Sequence, residues 1–168
     1  MSSQPEYWLR GPVDGVPALV MPAAHALLQT LEDVERVVTE LTVDQVWSTP
    51  GGAASVGYHV RHLAGSTDRL FTYARGERLS EDQKRQLSEE PSPSREEPAA
   101  LLHRVRGVIE RGIAQIRATP AESLTDARTV GRAALPTNVL GLIFHAAEHS
   151  QRHAGQIVTT ARIVRGLS

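Results

Sequence analysis

The sequence of 168 residues contains seven histidines and no cysteine, and five of the histidines fall in two short clusters. Imidazole nitrogens are common ligands of divalent transition metals, and they also act as acids and bases near neutral pH. The absence of cysteine excludes disulfides, thiolate metal ligands and a cysteine nucleophile. A metal site built from histidine is therefore the first chemistry to consider.

The C-terminal cluster lies in the segment HAAEHSQRH, which contains His145, Glu148, His149 and His153. Histidines spaced four apart lie on the same face of a helix, so one helix can offer two imidazoles to one ion. The apolar residues of this segment place His149 and His153 within the buried arc and His145 toward its edge. A metal ion would satisfy imidazoles whose burial is otherwise costly. The alternative is that these histidines are hydrogen-bonded in a core or face solvent.

The other cluster consists of His59 and His62, which would have to supply a third ligand. The apolar stripe of this segment places His59 at its shoulder and His62 further round, so helical phase favours His59. His62 falls in line with a row of polar side chains, Ser55, Ser66, Arg69 and Tyr73. Such a row either lines a polar pocket beside the core or is the solvent-exposed face.

Other uses of the histidines are less well supported. His145, Glu148 and His149 match the H-x-x-E-H signature of inverted zinc proteases, but that site needs a later acidic ligand and no Asp or Glu follows Glu148. A di-iron bundle needs paired Glu-x-x-His motifs, and the chain has none. His25 and His103 are isolated, which favours surface or hydrogen-bonded histidines.

Four segments with helical periodicity must position these side chains, and they predict an all-α four-helix bundle. The segments are about Pro22 to Leu41, Ser55 to Gly76, Ser94 to Thr119, and Pro136 to Gly166. Ser55 is a good N-cap residue, and Ser94 with Glu97 has the spacing of a capping box. Residues 77–94 read as a loop with one helical turn, and residues 121–135 as a loop with extended stretches.

Composition narrows the class of protein. The length favours a single domain over residues 1–168, with an irregular N-terminal arm at residues 1–17. The 18 basic and 19 acidic residues give no basic excess, so we expect neither a nucleic-acid partner nor a membrane partner. The N-terminus lacks the pattern of a secretory signal, and no window is apolar enough for a membrane span, so we expect a cytoplasmic location.

The segments SVGYHVRHLAGSTDRLFTYARG and HAAEHSQRHAGQI, in this order and at this separation, resemble the DinB-like superfamily of metal-dependent enzymes. The family pattern has a histidine followed by a hydrophobic residue in the second helix, and H-x-x-x-H ahead of Gly-Gln in the fourth. These positions are His62, His149 and His153 here. The resemblance implies a four-helix bundle of unusual helix order, of the up-up-down-down kind, and a homodimer.

The resemblance also implies a three-histidine site for a divalent ion, zinc or nickel, and so selects His62 where helical phase favours His59. It implies a small-molecule substrate, with a low-molecular-weight thiol as co-substrate of a transferase, or else a hydrolase. A metal- or ligand-binding bundle without turnover is the alternative. His59 and His145 are then residues of the surrounding pocket. From the residue types alone, Arg69 and Tyr73 are candidates for orienting an anionic substrate, Glu148 and His145 for moving protons, and Ser66 for lining the pocket.

Overall fold

The computed structural model describes residues 4–166, in which the chain forms six α-helices and one β-hairpin. The elements are α1 (Met21–Val38), α2 (Val43–Trp47), α3 (Val56–Ala74), α4 (Glu81–Glu89), α5 (Pro98–Ala118), β1 (Ala127–Val130), β2 (Leu135–Asn138) and α6 (Val139–Gly166). Single 3-10 turns lie at Tyr7–Leu9, Ala18–Val20, Pro50–Gly52 and Ala121–Thr125. None of the described helices is long and apolar enough to cross a bilayer.

The four long helices α1, α3, α5 and α6 form the predicted all-α bundle. Each of α1 and α3 packs against both α5 and α6, so α1 lies diagonally opposite α3 and α5 lies diagonally opposite α6. The apolar faces of the four helices meet in one continuous core. Its largest fully buried side chains include Leu27, Leu63, Ile109, Ile143 and Ile157. Of the long helices that are consecutive in the sequence, α3 and α5 are therefore neighbours, whereas the pairs α1–α3 and α5–α6 lie on the diagonals of the bundle.

The directions of the long helices follow from the residues that meet across each interface. The defining pairs are Thr30–Gln151 and Glu40–Arg165 for α1 with α6, His59–His153 and Thr67–Ser150 for α3 with α6, and Asp68–Arg111 and Phe71–Gln115 for α3 with α5. The order is therefore up-down-down-up rather than the expected up-up-down-down. The reason is the connection after α3, in which α4 runs back along α3 and returns the chain to the end where α3 began.

The helix boundaries depend on local chemistry. Ser55 caps α3 as predicted, because its hydroxyl accepts a hydrogen bond from the Tyr58 N–H. The capping box predicted at Ser94 and Glu97 is wrong, since α5 begins only at Pro98. A residue before proline is pushed out of the helical region, and Glu97 accordingly has ψ of 143°. Proline itself fits the first turn, where its missing N–H costs nothing.

The two long connections contain more structure than the sequence indicated. The predicted single turn in residues 77–94 is the nine-residue α4, which opens with a capping box between Ser80 and Gln83. The stretch before α6 is an antiparallel hairpin in which Ala127 pairs with Asn138. The helix α6 therefore begins at Val139, slightly later than predicted. Residues 4–17 of the predicted arm contain one 3-10 turn, and residues 1–3 lie outside the described part of the chain.

Candidate metal centre

The structure brings together three of the sequence-predicted histidines, His62 from α3 and His149 and His153 from α6. One nitrogen from each ring can be chosen such that all three lie within 4.8 Å of one another. We call these residues the histidine triad. They meet because α3 and α6 are antiparallel neighbours, and because the four-residue spacing of His149 and His153 places both rings on the α6 face that packs against α3.

The spacing of the nitrogens suits a shared ion. Nε2 of His62 and Nε2 of His149 are 3.1 Å apart. Two imidazole nitrogens bound tetrahedrally to one zinc ion lie roughly 3.3 Å apart, given Zn–N bonds of about 2.0–2.1 Å. The ring centroid of His153 lies 4.7 Å from that of His62 and 4.6 Å from that of His149. Small side-chain rotations are therefore enough for three-nitrogen coordination.

The ring of His62 is held from behind by Glu90. Oε2 of Glu90 lies 2.7 Å from Nδ1 of His62, and Oε1 accepts a hydrogen bond of 2.7 Å from Arg69. Burial alone would raise the pKa of Glu90, but the hydrogen bonds from His62 and Arg69 and the charge of Arg69 outweigh it and lower that pKa. An ionised carboxylate can only accept, so the proton of this hydrogen bond is on Nδ1 of His62.

His59 is buried next to the triad rather than within it. Its Nδ1 lies 3.0 Å from Nδ1 of His153, and its side chain is more buried than that of His62. Helical phase therefore identified correctly which α3 histidine is more buried, whereas the family resemblance identified the one that faces both α6 histidines. Tyr58 stacks almost parallel on the His62 ring, with centroids 5.8 Å apart and planes inclined by 9°.

The electrostatic environment keeps the α6 histidines neutral at pH 7. Burial, followed by the nearby charge of His62, lowers the pKa of both His149 and His153 to about 4. Burial and His62 also lower the pKa of His59. A neutral imidazole has a free electron pair and needs to release no proton on binding a metal ion. The rings are thus in the protonation state that a ligand requires.

One nitrogen of the triad lacks a partner. Within residues 4–166, Nδ1 of His149 is the buried side-chain polar atom that makes no hydrogen bond. The contact with Glu90 places a proton on Nδ1 of His62, which leaves Nε2 of a neutral His62 as an acceptor. The 3.1 Å contact between this atom and Nε2 of His149 then needs a proton on Nε2 of His149. In that tautomer, Nδ1 of His149 is a buried acceptor without a donor. Because Glu90 takes the N–H of His62, the rings are left with one acceptor nitrogen that has no donor, and this is an imbalance that a cation can relieve.

The remaining sequence-predicted site residues lie around the triad without joining it. His145 is exposed and contacts Glu148, which also forms an ion pair with Arg152. The first histidine and the glutamate of the H-x-x-E-H sequence therefore interact with each other at the surface and not with the triad. Ser66 donates to the Leu63 carbonyl. Arg69 is buried against Glu90, and Tyr73 packs on the hydrophobic core. The isolated His25 contacts the Gly11 carbonyl.

Sequence reasoning missed Glu90 and Tyr58, the two residues that support the His62 ring. Glu90 lies in a charged connection that carries no local signal, and its position depends on how α4 folds back along α3. Tyr58 could have been found, because it precedes His62 by four residues and such pairs are neighbours on a helix surface. A groove of about 380 Å³ adjoins this side of the triad and is lined in part by Trp47, Ser55, Tyr58 and Glu90.

Comparison with known families identifies the superfamily of the chain. The model of the DinB superfamily matches residues 26–157, which include all three residues of the triad. The chain belongs to the DinB superfamily. The matched region begins within α1 and ends within α6, so it spans all four long helices of the bundle. No curated protein matches the sequence.

Two solved structures share the DinB fold of this chain. One is described as the conserved protein of a locus from Enterococcus faecalis, with a TM-score of 0.69 and 16% sequence identity over 86% of this chain and 96% of that chain. The other is a DinB-like protein from Bacillus cereus ATCC 10987, with a TM-score of 0.62 and 13% identity over 81% of this chain and 89% of that chain. At such low identity the likeness establishes the fold alone.

Proposed function

We propose that this protein is a metal-dependent enzyme in which His62, His149 and His153 hold a divalent ion, zinc or nickel. The observation that carries the proposal is the convergence of three imidazoles from two helices within 4.8 Å. Imidazole ligands suit both metals. The neutral state of His149 and His153 and the unpaired nitrogen of His149 support the same conclusion.

The arrangement suits catalysis because three protein ligands leave coordination positions free. A bound divalent ion lowers the pKa of a coordinated water or thiol toward neutrality. The chain has no cysteine, so any thiol must be an external small molecule. The reaction that we propose is accordingly an S-transfer that uses a low-molecular-weight thiol, or a hydrolysis. The groove beside Tyr58 is the proposed binding place for the small-molecule substrate.

A second candidate is a metal-binding bundle without turnover, and one observation favours it. The two carboxylates around the histidines, Glu90 and Glu148, are each held in an ion pair with an arginine. Neither can act as a general base in this arrangement without breaking that pair. Proton transfer would then fall to His59 or His145, or to the substrate itself.

Metal content of the purified protein tests the ligands. The double variant His149→Ala/His153→Ala should lose bound zinc or nickel in elemental analysis, because one imidazole cannot hold the ion alone. The matched control is His25→Ala/His103→Ala, which removes two histidines from elsewhere and should bind as much metal as the unsubstituted protein. Equal metal content in all three proteins would refute the proposed ligands.

Turnover assays then separate the two candidates. Metal-loaded protein is mixed with a low-molecular-weight thiol and an electrophilic acceptor, and, separately, with ester and amide substrates. We expect a rate above that of the metal-free protein in one of these assays. A folded, metal-loaded protein with no rate above this background would favour the binding module.

We also propose that two copies of the chain associate. Phe144 on α6 and Trp8 in the N-terminal arm expose 63% and 62% of their surface, and between them an apolar groove runs over Pro22 and Ala26 of α1. An exposed apolar surface of this kind is typical of an interface. Light scattering should give the mass of a dimer, and Phe144→Asp should reduce it to that of a monomer. A monomer at micromolar concentration without the substitution would contradict this.

A further inference from the structure

Glu90 is the most deeply buried carboxylate near the metal centre, and it lies outside every motif in the sequence. It follows directly after α4, and only 6% of its surface is exposed. One oxygen contacts Nδ1 of His62 and the other accepts from Arg69, each at 2.7 Å. Because Arg69 is itself buried, the two charges compensate each other away from water.

Two features hold the carboxylate in place. Arg61 on α3 donates hydrogen bonds to the backbone carbonyls of Glu89 and Ser92, which fixes the end of α4 against α3. Gly65 on α3 leaves the space that the carboxylate occupies. A Cβ atom at this glycine would lie 2.3 Å from Oε1 of Glu90 and 2.7 Å from Nη1 of Arg69, so any larger residue displaces one of them.

The hydrogen bond from His62 to Glu90 determines which nitrogen of His62 faces the triad. Because the contact with Glu90 places a proton on Nδ1, Nε2 is the nitrogen that can offer an electron pair to a metal ion, and this is the atom 3.1 Å from Nε2 of His149. A carboxylate that accepts from the distal nitrogen of a ligating histidine fixes its tautomer and ring orientation and increases its basicity.

We propose that Glu90, seated in the space beside Gly65 and balanced by Arg69, is the positioning residue that fixes His62 as a metal ligand. The inference rests on the proposed function, since it assumes that His62 binds the ion. It assigns to the α4 connection the role of completing the metal centre. The three histidines themselves lie on α3 and α6. Their geometry, however, depends on Glu90, which follows α4 and belongs to neither of these helices.

The test uses the full chain and two readouts, zinc affinity from competition with a chromophoric chelator and the tautomer of His62 from long-range ¹H–¹⁵N NMR correlations on metal-free protein. Glu90→Gln keeps the size of the side chain but can donate as well as accept. We expect zinc affinity to fall roughly 10- to 100-fold. We also expect His62 to change from the Nδ1–H tautomer to a mixture of tautomers.

Gly65→Ala is the second variant, because it keeps Glu90, Arg69 and all three triad residues and should still displace the carboxylate. We expect the same two changes. The matched controls are Glu89→Gln, which removes the charge of the exposed neighbouring carboxylate, and Gly155→Ala, which adds a Cβ atom where nothing lies within 4 Å. Both controls should bind zinc within twofold of the unsubstituted protein and keep the His62 tautomer.

The outcomes separate this inference from the proposed function. If the unsubstituted protein binds neither zinc nor nickel, both are overturned. If it binds metal but Glu90→Gln and Gly65→Ala bind equally well, only the role of Glu90 is overturned. An unchanged His62 tautomer in both folded variants overturns it too, because the loss of affinity would then have another cause.

Discussion

Two adjacent layers of the α3–α6 interface bury polar side chains, and they differ in whether the buried polar atoms have hydrogen-bond partners. In the hydroxyl layer, Thr67 and Ser150 are almost completely buried, 3.0 Å apart, and Ser150 donates onward to the Ala146 carbonyl. Each hydroxyl has a partner. In the histidine layer, formed by His59 and the triad, the rings contact one another and Nδ1 of His149 has no partner.

The difference indicates which layer is complete within the chain and which layer has capacity for a further group. Buried polar groups are normally paired, so a satisfied pair such as Thr67 and Ser150 needs nothing beyond the chain. A cluster with an unpaired nitrogen lacks stability in the absence of a further group. The histidine layer should therefore respond strongly to protons and metal ions, and the hydroxyl layer should respond to neither.

The largest expected effect is a loss of stability on acidification of the metal-free protein. Both His149 and His153 have a folded-state pKa of about 4, against 6.5 ordinarily. As the pH falls from 7 to 4.5, the unfolded chain takes up protons at these residues and the folded protein does not. The free energy of unfolding should fall on the order of 3 kcal/mol in total, less than the two full shifts would give because both rings are only half-buried and interact with each other; denaturant unfolding measures it.

The double variant His149→Leu/His153→Leu is the control for this pH dependence. Its free energy of unfolding should change less between pH 7 and 4.5, because the two groups with the largest lowering of the pKa are absent, while the smaller contributions of His59 and Glu90 remain. A slope equal to that of the unsubstituted protein would show that the histidine layer does not cause the acid sensitivity.

The next largest effect is stabilisation by metal. At pH 7, zinc at a hundred times its dissociation constant should raise the free energy of unfolding by about 2.7 kcal/mol, because the folded state alone presents the assembled site. The measurement is thermal or denaturant unfolding with and without the ion. His153→Ala should remove the increase at the same zinc concentration, whereas Thr67→Val should retain it.

A smaller and opposite effect is expected from His149→Leu in the absence of metal. The substitution removes the unpaired nitrogen. It also removes the donor to Nε2 of His62, but the His62 side chain is 22% exposed and can bind water instead, so the metal-free protein at pH 7 should gain up to about 1 kcal/mol. It should also lose its stabilisation by zinc. Destabilisation of the metal-free protein would mean that the His149 ring is already satisfied by packing, and would weaken the contrast between the layers.

The smallest effect is expected in the hydroxyl layer. Thr67→Val removes the hydrogen bond to Ser150 but leaves Ser150 paired with the Ala146 carbonyl, so stability should fall by about 0.5–1 kcal/mol. Zinc affinity should stay within twofold. A tenfold loss of affinity would show that the two layers are coupled.

Much of the fold was predictable because its signals are local. Apolar residues at helical spacing indicated the four long helices, and the Ser55 cap indicated the start of α3 within one residue. The failures also have local causes that were visible in the sequence. Pro98 delays the start of α5, and Pro136 lies in the hairpin instead of opening α6. The direction of α5 depends on α4 folding back along α3, which no local pattern encodes.

The candidate site was predictable in part for the same reason. The spacing of His149 and His153 fixes their common face on α6, since both belong to one helix. The choice between His59 and His62 could not be made by helical phase, which measures burial and not direction toward a neighbouring helix. His59 is the more buried residue, yet His62 is the one within the triad.

By itself, then, the sequence determined the helices, the face on which two imidazoles lie and the absence of any thiol. Those properties depend on residue type and on the 3.6-residue turn of the helix. Only the tertiary structure decided that α3 and α6 are antiparallel neighbours, and that Glu90 reaches His62 from a separate segment. Such contacts join residues 28 and 87 positions apart, and they exist only once the bundle has packed.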